Sequence, residues 1–408
     1  MWSRKRLDIG WTDLAAGLLG CGFRWNREKQ HQAIEQEWSK TRDSLACLSV
    51  RSGWDLLLST LNLPAGSEVM MSALTIPDMA RIVEAHGLVP VPLDLDPHTL
   101  VPTVESFEKA LSEHTRIVLV AHLFGTRNDL GDLIAAAHAH NLMFVEDCAQ
   151  AYIGPDFRGH ADSDVALFSF GTIKTATALG GAVLRIADET IRHAMRDRQS
   201  EYAVQSRTKF ARRVVKYAGL KLISQRPCYG LFVRGCRAMG RDYNAILNGA
   251  VKGFGTAAPI ERFRAQPSAP LLGLLRRRIH HPPVSRIQRQ QSLGQRLHWQ
   301  LASHVVCPGG GVAEHCFWVF PLSPTDPQSL IENLRESGFD ATQGESLDVV
   351  KPPHDRPELD PTASRELLKH LVYLPLYPAL TESACDRMAD VVQQQIREPF
   401  QIGRNLHH

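Results

Sequence analysis

An α/β fold is predicted, with a mostly parallel sheet in a large domain and a small α+β domain at the C-terminus. Three observations predict it. Between residues 46 and 185, short apolar runs alternate with stretches of helical period, the βαβ rhythm that covers both faces of a parallel sheet with helices. From about residue 304 the rhythm changes to two isolated apolar runs separated by helices. The chain has 408 residues and is 44% apolar, enough for one large core and a smaller second one.

The elements follow in order. Residues 1–45 read as a helical N-terminal segment, in which Leu7, Trp11, Leu14 and Leu18 recur at helical spacing. Arg4, Lys5 and Arg6 ahead of the run from Leu14 to Cys21 give a faint likeness to a lipoprotein signal. Asp8 and Asp13 interrupt it, so the expectation is an amphipathic helix packed on the body or lying on a membrane. Residues 46–260 form the large domain. Its strands are expected at residues 68–71, 88–93, 116–122, 142–146, 165–170 and 182–185, with helices starting near Gly53, Pro77, Val104 and Leu130. Thr103, with Ser106 one turn on, is the expected N-cap of the third helix. Residues 205–260 break the rhythm and read as a basic insertion. Residues 261–408 form the small domain with its linking helices, which break at His280-His281-Pro282-Pro283. The terminal His407 and His408 carry no weight in this reading.

Composition excludes several classes. No apolar run reaches the roughly 18 residues that span a bilayer. The eight cysteines contain no CxxC pair, which suits buried thiols in a reducing cytoplasm rather than a disulfide framework. No carboxylate or cysteine lies near His280 and His281 in sequence, so no metal site is expected there. Cys307-Pro308-Gly309-Gly310-Gly311 lacks dinucleotide-loop spacing and reads as a loop.

Chemistry concentrates at one rim of the expected sheet. Glu146-Asp147-Cys148-Ala149-Gln150 ends one strand, Phe168-Ser169-Phe170 ends another, and Lys174 follows before Gly180-Gly181. Ligands of such sheets bind at the carboxyl ends of the strands. A lysine, a carboxylate and a hydroxyl gathered there suit pyridoxal phosphate (PLP). The lysine can form a Schiff base and move a substrate proton. A fixed carboxylate keeps the ring nitrogen protonated. The phosphate would take the Ser169 hydroxyl and the backbone amides of Ser52, Gly53 and Trp54, at the opening of the first helix of the sheet domain. Each mark alone is ordinary: a lone lysine is usually solvated, a lone strand-end aspartate is usually a cap, and a Ser-Gly pair is usually a helix start. The case rests on their order.

With these residues in place, the chain resembles the DegT/DnrJ/EryC1/StrS aminotransferases, which have the aspartate-aminotransferase (PLP type I) fold. Supporting stretches are Arg51-Ser52-Gly53, residues 66–69, residues 92–96 and Ala121-His122-Leu123-Phe124-Gly125. The resemblance covers residues 46–190 well and the C-terminal domain loosely. It implies Lys174 as the Schiff-base lysine and acid/base, Asp147 on the pyridine nitrogen and Gln150 on the ring or its hydroxyl. Ser169, Gly53 and Trp54 would hold the phosphate, and Thr75 would lie near the ring. It also implies a homodimer, glutamate as amino donor and a keto sugar, nucleotide-linked, as acceptor. Three departures mark this chain. Ile76 stands where the family places an aromatic residue, the glycine-rich loop that usually carries a glutamate reads Ala178-Leu179-Gly180-Gly181, and the family's asparagine-arginine stretch is not recognisable. Sugar dehydratases related to the family use histidine in place of the lysine, so Lys174 argues against that chemistry.

Charge is unevenly spread. Residues 202–313 carry 19 Lys/Arg against Asp242 and Glu261, whereas the whole chain is only +3. Arg207 to Arg241 holds ten cations and no acid, interleaved with Phe210, Val214, Tyr217, Leu222 and Leu231. Three readings remain open: a solvated basic face around a core stripe, contact with an anionic membrane through residues 205–241, or binding of a diphosphate-bearing substrate. No nucleic-acid recognition motif is present. The expectation is therefore a cytoplasmic PLP aminotransferase, peripheral on the inner membrane face if the basic segment meets lipid. The alternatives are an aminotransferase for a lipid-linked keto substrate and a non-catalytic regulatory protein that retains the fold.

Overall fold

The computed structural model describes residues 1–23, 25–251, 258–344 and 346–397. Residues 252–257 of the basic insertion, and His407 and His408, lie outside the described residues. An extended N-terminal segment leads into helices α1 (Trp11–Gly22) and α2 (Arg27–Trp38). Strand β1 (Ser44–Cys47) follows, so the boundary expected at residue 45 falls inside a strand. The alternation then runs α3 (Val50–Leu61), β2 (Glu68–Ser72), β3 (Leu74–Thr75), α4 (Pro77–Ala85), β4 (Val89–Leu93), α5 (Val104–Ala110) and β5 (Thr115–Ala121). It closes with α6 (Gly131–Ala139), β6 (Met143–Asp147), β7 (Val165–Ser169), β8 (Ala182–Ile186) and α7 (Glu189–Ser200).

Local chemistry explains the starts and stops. Ser49 caps α3 by accepting from the Ser52 N–H, and Asn62, at φ 45°, ends the same helix in the left-handed region. Pro77 opens α4 with its φ already helical. Thr103 caps α5 on the Ser106 N–H, as its position suggested.

Seven strands form the large sheet in the order β1-β8-β7-β6-β5-β2-β4. β2, β4, β5, β6 and β7 run parallel, and β8 runs against both its neighbours. The strands are buried on both faces, which explains their near-continuous apolar character. Val69, Met71, Leu119 and Val145 face one helix layer, and Met70, Val118, Val120 and Phe144 face the other.

After α7 the chain forms β9 (Ala203–Val204), then α8 (Arg207–Ile223), α9 (Arg226–Ala238) and α10 (Tyr243–Val251) in the basic insertion. β10 (Ala265–Gln266) pairs with β9. The two linking helices are α11 (Ala269–His280) and α12 (Val284–Leu301). Leu271, Leu272, Leu274 and Leu275 of α11 pack with Phe168, Phe170, Phe210 and Val214, so this helix joins the core of the large domain. The small domain follows with β11 (Phe320–Leu322), α13 (Pro327–Glu336), β12 (Thr342–Gln343), β13 (Asp348–Val349), α14 (Thr362–His370), β14 (Val372–Leu374) and α15 (Glu382–Arg397). β11, β14 and β12 make an antiparallel sheet, while β13 crosses back to pair with β3. Trp2, from the N-terminus, is buried in the small domain's core. Among the described residues no helix is long and apolar enough to cross a membrane.

Candidate active site

Parallel pairing of β5, β6 and β7 brings their carboxyl ends to one rim. His122 follows β5, Asp147 ends β6 and Ser169 ends β7. Lys174 sits in the loop from Phe170 to Gly181. The Phe170 carbonyl folds that loop by accepting from the N–H groups of Ala178 (3.0 Å) and Gly180 (3.1 Å). Gly171 donates its N–H to the Ser169 hydroxyl at 3.3 Å. Ala176 and Leu179 are held at φ 53° and 62°, a left-handed conformation that costs a side-chain-bearing residue about 1–3 kcal/mol and persists only where its surroundings enforce it. Asp8 is one such enforcer, because its Oδ2 accepts from the Ala176 N–H at 2.7 Å.

Electrostatics distinguish the ionisable groups. Burial pushes the Lys174 amine down to about 8, with Asp147 opposing and Arg51 adding to the fall. It is therefore far easier to deprotonate than a solvated lysine. Burial pushes the Asp147 carboxyl up against the Ala149 N–H and the charge of Lys174. Asp147 Oδ1 accepts from that N–H at 2.9 Å, and Oδ2 accepts no hydrogen bond from any described residue. Behind Asp147, His122 Nε2 lies 2.6 Å from Glu146 Oε1. Burial raises Glu146, but His122, the His160 N–H and the Ser163 hydroxyl outweigh it and hold the carboxyl below its ordinary value. This pair is fully buried. His122 lay in the stretch from Ala121 to Gly125 without being assigned a role.

The start of α3 corrects part of the expected cradle. Gly53 donates its N–H to the Ser49 carbonyl at 3.0 Å, and Ser52 donates its N–H to Ser49 Oγ at 3.1 Å. Trp54 is fully buried and gives its ring N–H to the Met79 carbonyl at 3.2 Å. The helix begins three residues earlier than expected, so Ser52, Gly53 and Trp54 are already inside it. Among the described residues, the Val50 N–H is a first-turn amide ahead of the first intrahelical bond. A Cβ on Gly53 would sit 2.7 Å from Leu184, so this glycine serves helix-on-strand packing. Arg51 pairs with Asp78 at 2.6 Å, and its charge reaches both Asp147 and Lys174. Thr75 is buried in β3 opposite Asp348. Gln150 Oε1 accepts from the Phe124 N–H at 2.8 Å.

Two further residues escaped the sequence reading. Trp318, from the small domain, places its ring 4.1 Å from Lys174 Nζ and 4.8 Å from Lys5 Nζ. Its ring N–H donates to the Ile173 carbonyl at 3.0 Å. Lys5 donates to the Trp318 carbonyl. Burial, with the nearby charge of Lys174, pushes its amine down to about 7. The two amines border a cavity of about 340 Å³ whose charged lining also includes Arg6, Lys221, Arg286 and Asp8. Asp8 is itself paired with Arg286 at 2.9 Å.

The comparisons with known proteins bear on family and fold. Residues 23–222 match the model of the DegT/DnrJ/EryC1/StrS aminotransferase family. Over 177 residues the chain is 37% identical to the erythromycin biosynthesis sensory transduction protein EryC1 of Saccharopolyspora erythraea, covering 41% of this chain and 47% of that relative. The chain thus spans about half the length of that relative. Among solved structures, the aminotransferase TlmJ from Streptoalloteichus hindustanus superposes with a TM-score of 0.69 at 18% identity, covering 97% of this chain and 99% of the other. The aminotransferase PseC of Helicobacter pylori, described as involved in pseudoaminic acid biosynthesis, gives 0.71 at 12% identity, covering 97% and 99%. These likenesses show the fold.

Proposed function

Because residues 23–222 match the model of the DegT/DnrJ/EryC1/StrS aminotransferase family, we propose that the chain is a PLP-dependent aminotransferase of that family acting on a keto sugar. The observation that carries this is the placing, on one rim, of the half-buried Lys174 amine within reach of the charge of the half-buried Asp147 carboxylate, which is fixed through Oδ1 by the Ala149 N–H. When bound, PLP supplies an electron sink that lets an amino group pass between substrates. The residues present fit it. Asp147 Oδ2 would hold the proton on the ring nitrogen, and the raised carboxyl would fall back once it faced that cation. Lys174 would hold the cofactor covalently, then take and return the proton at the α-carbon of the amino donor. Ser169 Oγ and the first-turn amide of Val50 would receive the phosphate at the positive end of α3. Gln150 and Thr75 would border the ring, and the Trp318 ring would supply the aromatic surface missing at Ile76.

The acceptor we propose carries phosphate, as a nucleotide-linked sugar does. The cavity beside Lys174 supports this, since its lining brings Arg6, Lys221 and Arg286, beside the amine of Lys5, against the single acid Asp8. Glutamate as donor, a homodimer and a cytoplasmic location complete the proposal. A second reading, a non-catalytic regulatory protein, is favoured by the name of the relative EryC1, a sensory transduction protein. Visible absorbance of the purified protein with added PLP, beside Lys174→Ala, separates the two. A band in the wild type that borohydride abolishes, that Lys174→Ala lacks and that glutamate bleaches supports transamination. Absence of any such band makes the regulatory reading the better one.

A further inference from the structure

Helix α1 is apolar on two sides. Its inner side packs on the body, where Gly17 lets α1 approach Leu274 of α11 and Val214 of α8. Its outer side carries Trp11, Leu18 and Leu19, with Phe23 just beyond, and Leu19 and Phe23 are 64% and 61% exposed. No charged residue interrupts this outer stripe. A globular protein ordinarily turns such a stripe inward, so an exposed one marks an interaction surface.

Helix α8 lies antiparallel alongside α1. Arg207, at its start, donates to the Phe23 carbonyl at 2.8 Å, and Lys221, near its end, lies 5.7 Å from the Trp11 ring. Its exposed residues Lys209, Arg212 and Lys216 alternate with exposed Val215 and Leu222. Helix α9 continues the pattern with Leu231, Arg234 and Arg237 outward. A row of aromatic and aliphatic side chains is thus bordered by a segment of ten cations and no acid.

We propose that the face formed by α1 and the outer sides of α8 and α9 docks on an anionic lipid bilayer. The apolar stripe would enter the headgroup boundary while the flanking lysines and arginines meet lipid phosphates. Charge decides between lipid and a second copy of the chain. A two-fold contact would set this basic face against itself, which like-charge repulsion opposes, whereas an anionic leaflet complements it. Lys221 also lines the cavity beside Lys174, so docking would bring that cavity to the membrane border. The proposal stands whether or not the chain is an active aminotransferase.

Flotation of the full chain with phosphatidylcholine vesicles, with and without phosphatidylglycerol, at low and high salt, tests it. The protein should float only with the anionic vesicles, and the bound fraction should fall at least about tenfold at high salt. Leu18→Ser/Leu19→Ser and Lys209→Glu/Arg212→Glu/Lys216→Glu should each reduce it about tenfold while circular dichroism is unchanged, since all five side chains are exposed. Failure to float with anionic vesicles at low salt, or equal flotation with both vesicle types, overturns the proposal. So does a Leu18→Ser/Leu19→Ser protein that floats normally but sediments at a smaller mass in solution, which would assign the face to a second copy.

Discussion

Two lysine amines share the Trp318 ring, and both are half-buried and desolvated enough there that an ammonium ion is costly. The sign of the resulting pH dependence follows from proton counting. Lys5 has an ordinary value of 10.5 when unfolded and about 7 when folded, so the unfolded chain holds more protons across that window. Stability should therefore rise with pH from about 7 to about 10.5, with the full cost of burying the charge present below pH 7. Lys5→Met should flatten that rise, as read from Tm against pH in the PLP-free protein. Lys174 contributes the same slope from about 8 upward. In activity assays, Lys174→Ala should lower kcat by roughly 10²–10⁴-fold, the worth of a positioned acid/base. Of these two residues only Lys174 was legible in the sequence, because its neighbours Phe168-Ser169-Phe170 and Gly180-Gly181 lie on the same stretch of chain. Nothing near Lys5 announced a desolvated amine.

The start of α3 shows how a cap moves a site. Ser49 takes the capping position, so the helix opens at Val50 and Gly53 enters its body. Gly53→Ala should destabilise the protein by about 1–3 kcal/mol through overpacking against Leu184, with PLP affinity little changed. Ser169→Ala should instead weaken PLP binding about tenfold, near the worth of one charge-assisted hydrogen bond to the phosphate. Urea unfolding and absorbance titration with PLP separate the two effects. The Ser52-Gly53 pair drew attention as a familiar helix-opening signal, yet Ser49 offers the same capping chemistry three residues earlier. Local sequence does not choose between them. The packing of Gly53 on β8 does.

At the scale of the whole molecule, the first nine residues tie three bodies together. Arg4 pairs with Asp340 of the small domain at 2.7 Å, and Tyr229 of α9 and Tyr243 of α10 donate to the same fully buried carboxylate. Asp8 joins the Lys174 loop to Arg286 of α12. Asp340→Ala should cost about 3–5 kcal/mol, because it strands the buried Arg4 charge and two tyrosine hydroxyls; urea denaturation measures it. Charge counting found the basic stretch from Arg207 to Arg241, and the helical spacing of Phe210, Val214 and Tyr217 marked its core stripe. All three are buried, while Val215, Leu222 and Leu231 face outward.

The sequence by itself determined the alternation of buried strands and helices, the helix start at Pro77 and the cap at Thr103, the order of Asp147, Ser169 and Lys174, and the asymmetry of charge. These are local properties: a strand buried on both faces must be apolar throughout, a cap lies within a turn of its helix, and the lysine follows the two strand ends that face it. Only the tertiary structure decided that Lys5, Trp318 and Lys174 meet around one cavity, that α11 joins the core of the large domain, and that α1 keeps an apolar side in water. The residues from Lys5 to Trp318 are separated by 313 positions, and no periodicity links side chains so far apart. Their meeting is set by how the small domain and the N-terminal segment pack on the sheet, where burial of whole faces outweighs the cost of enclosing individual charges.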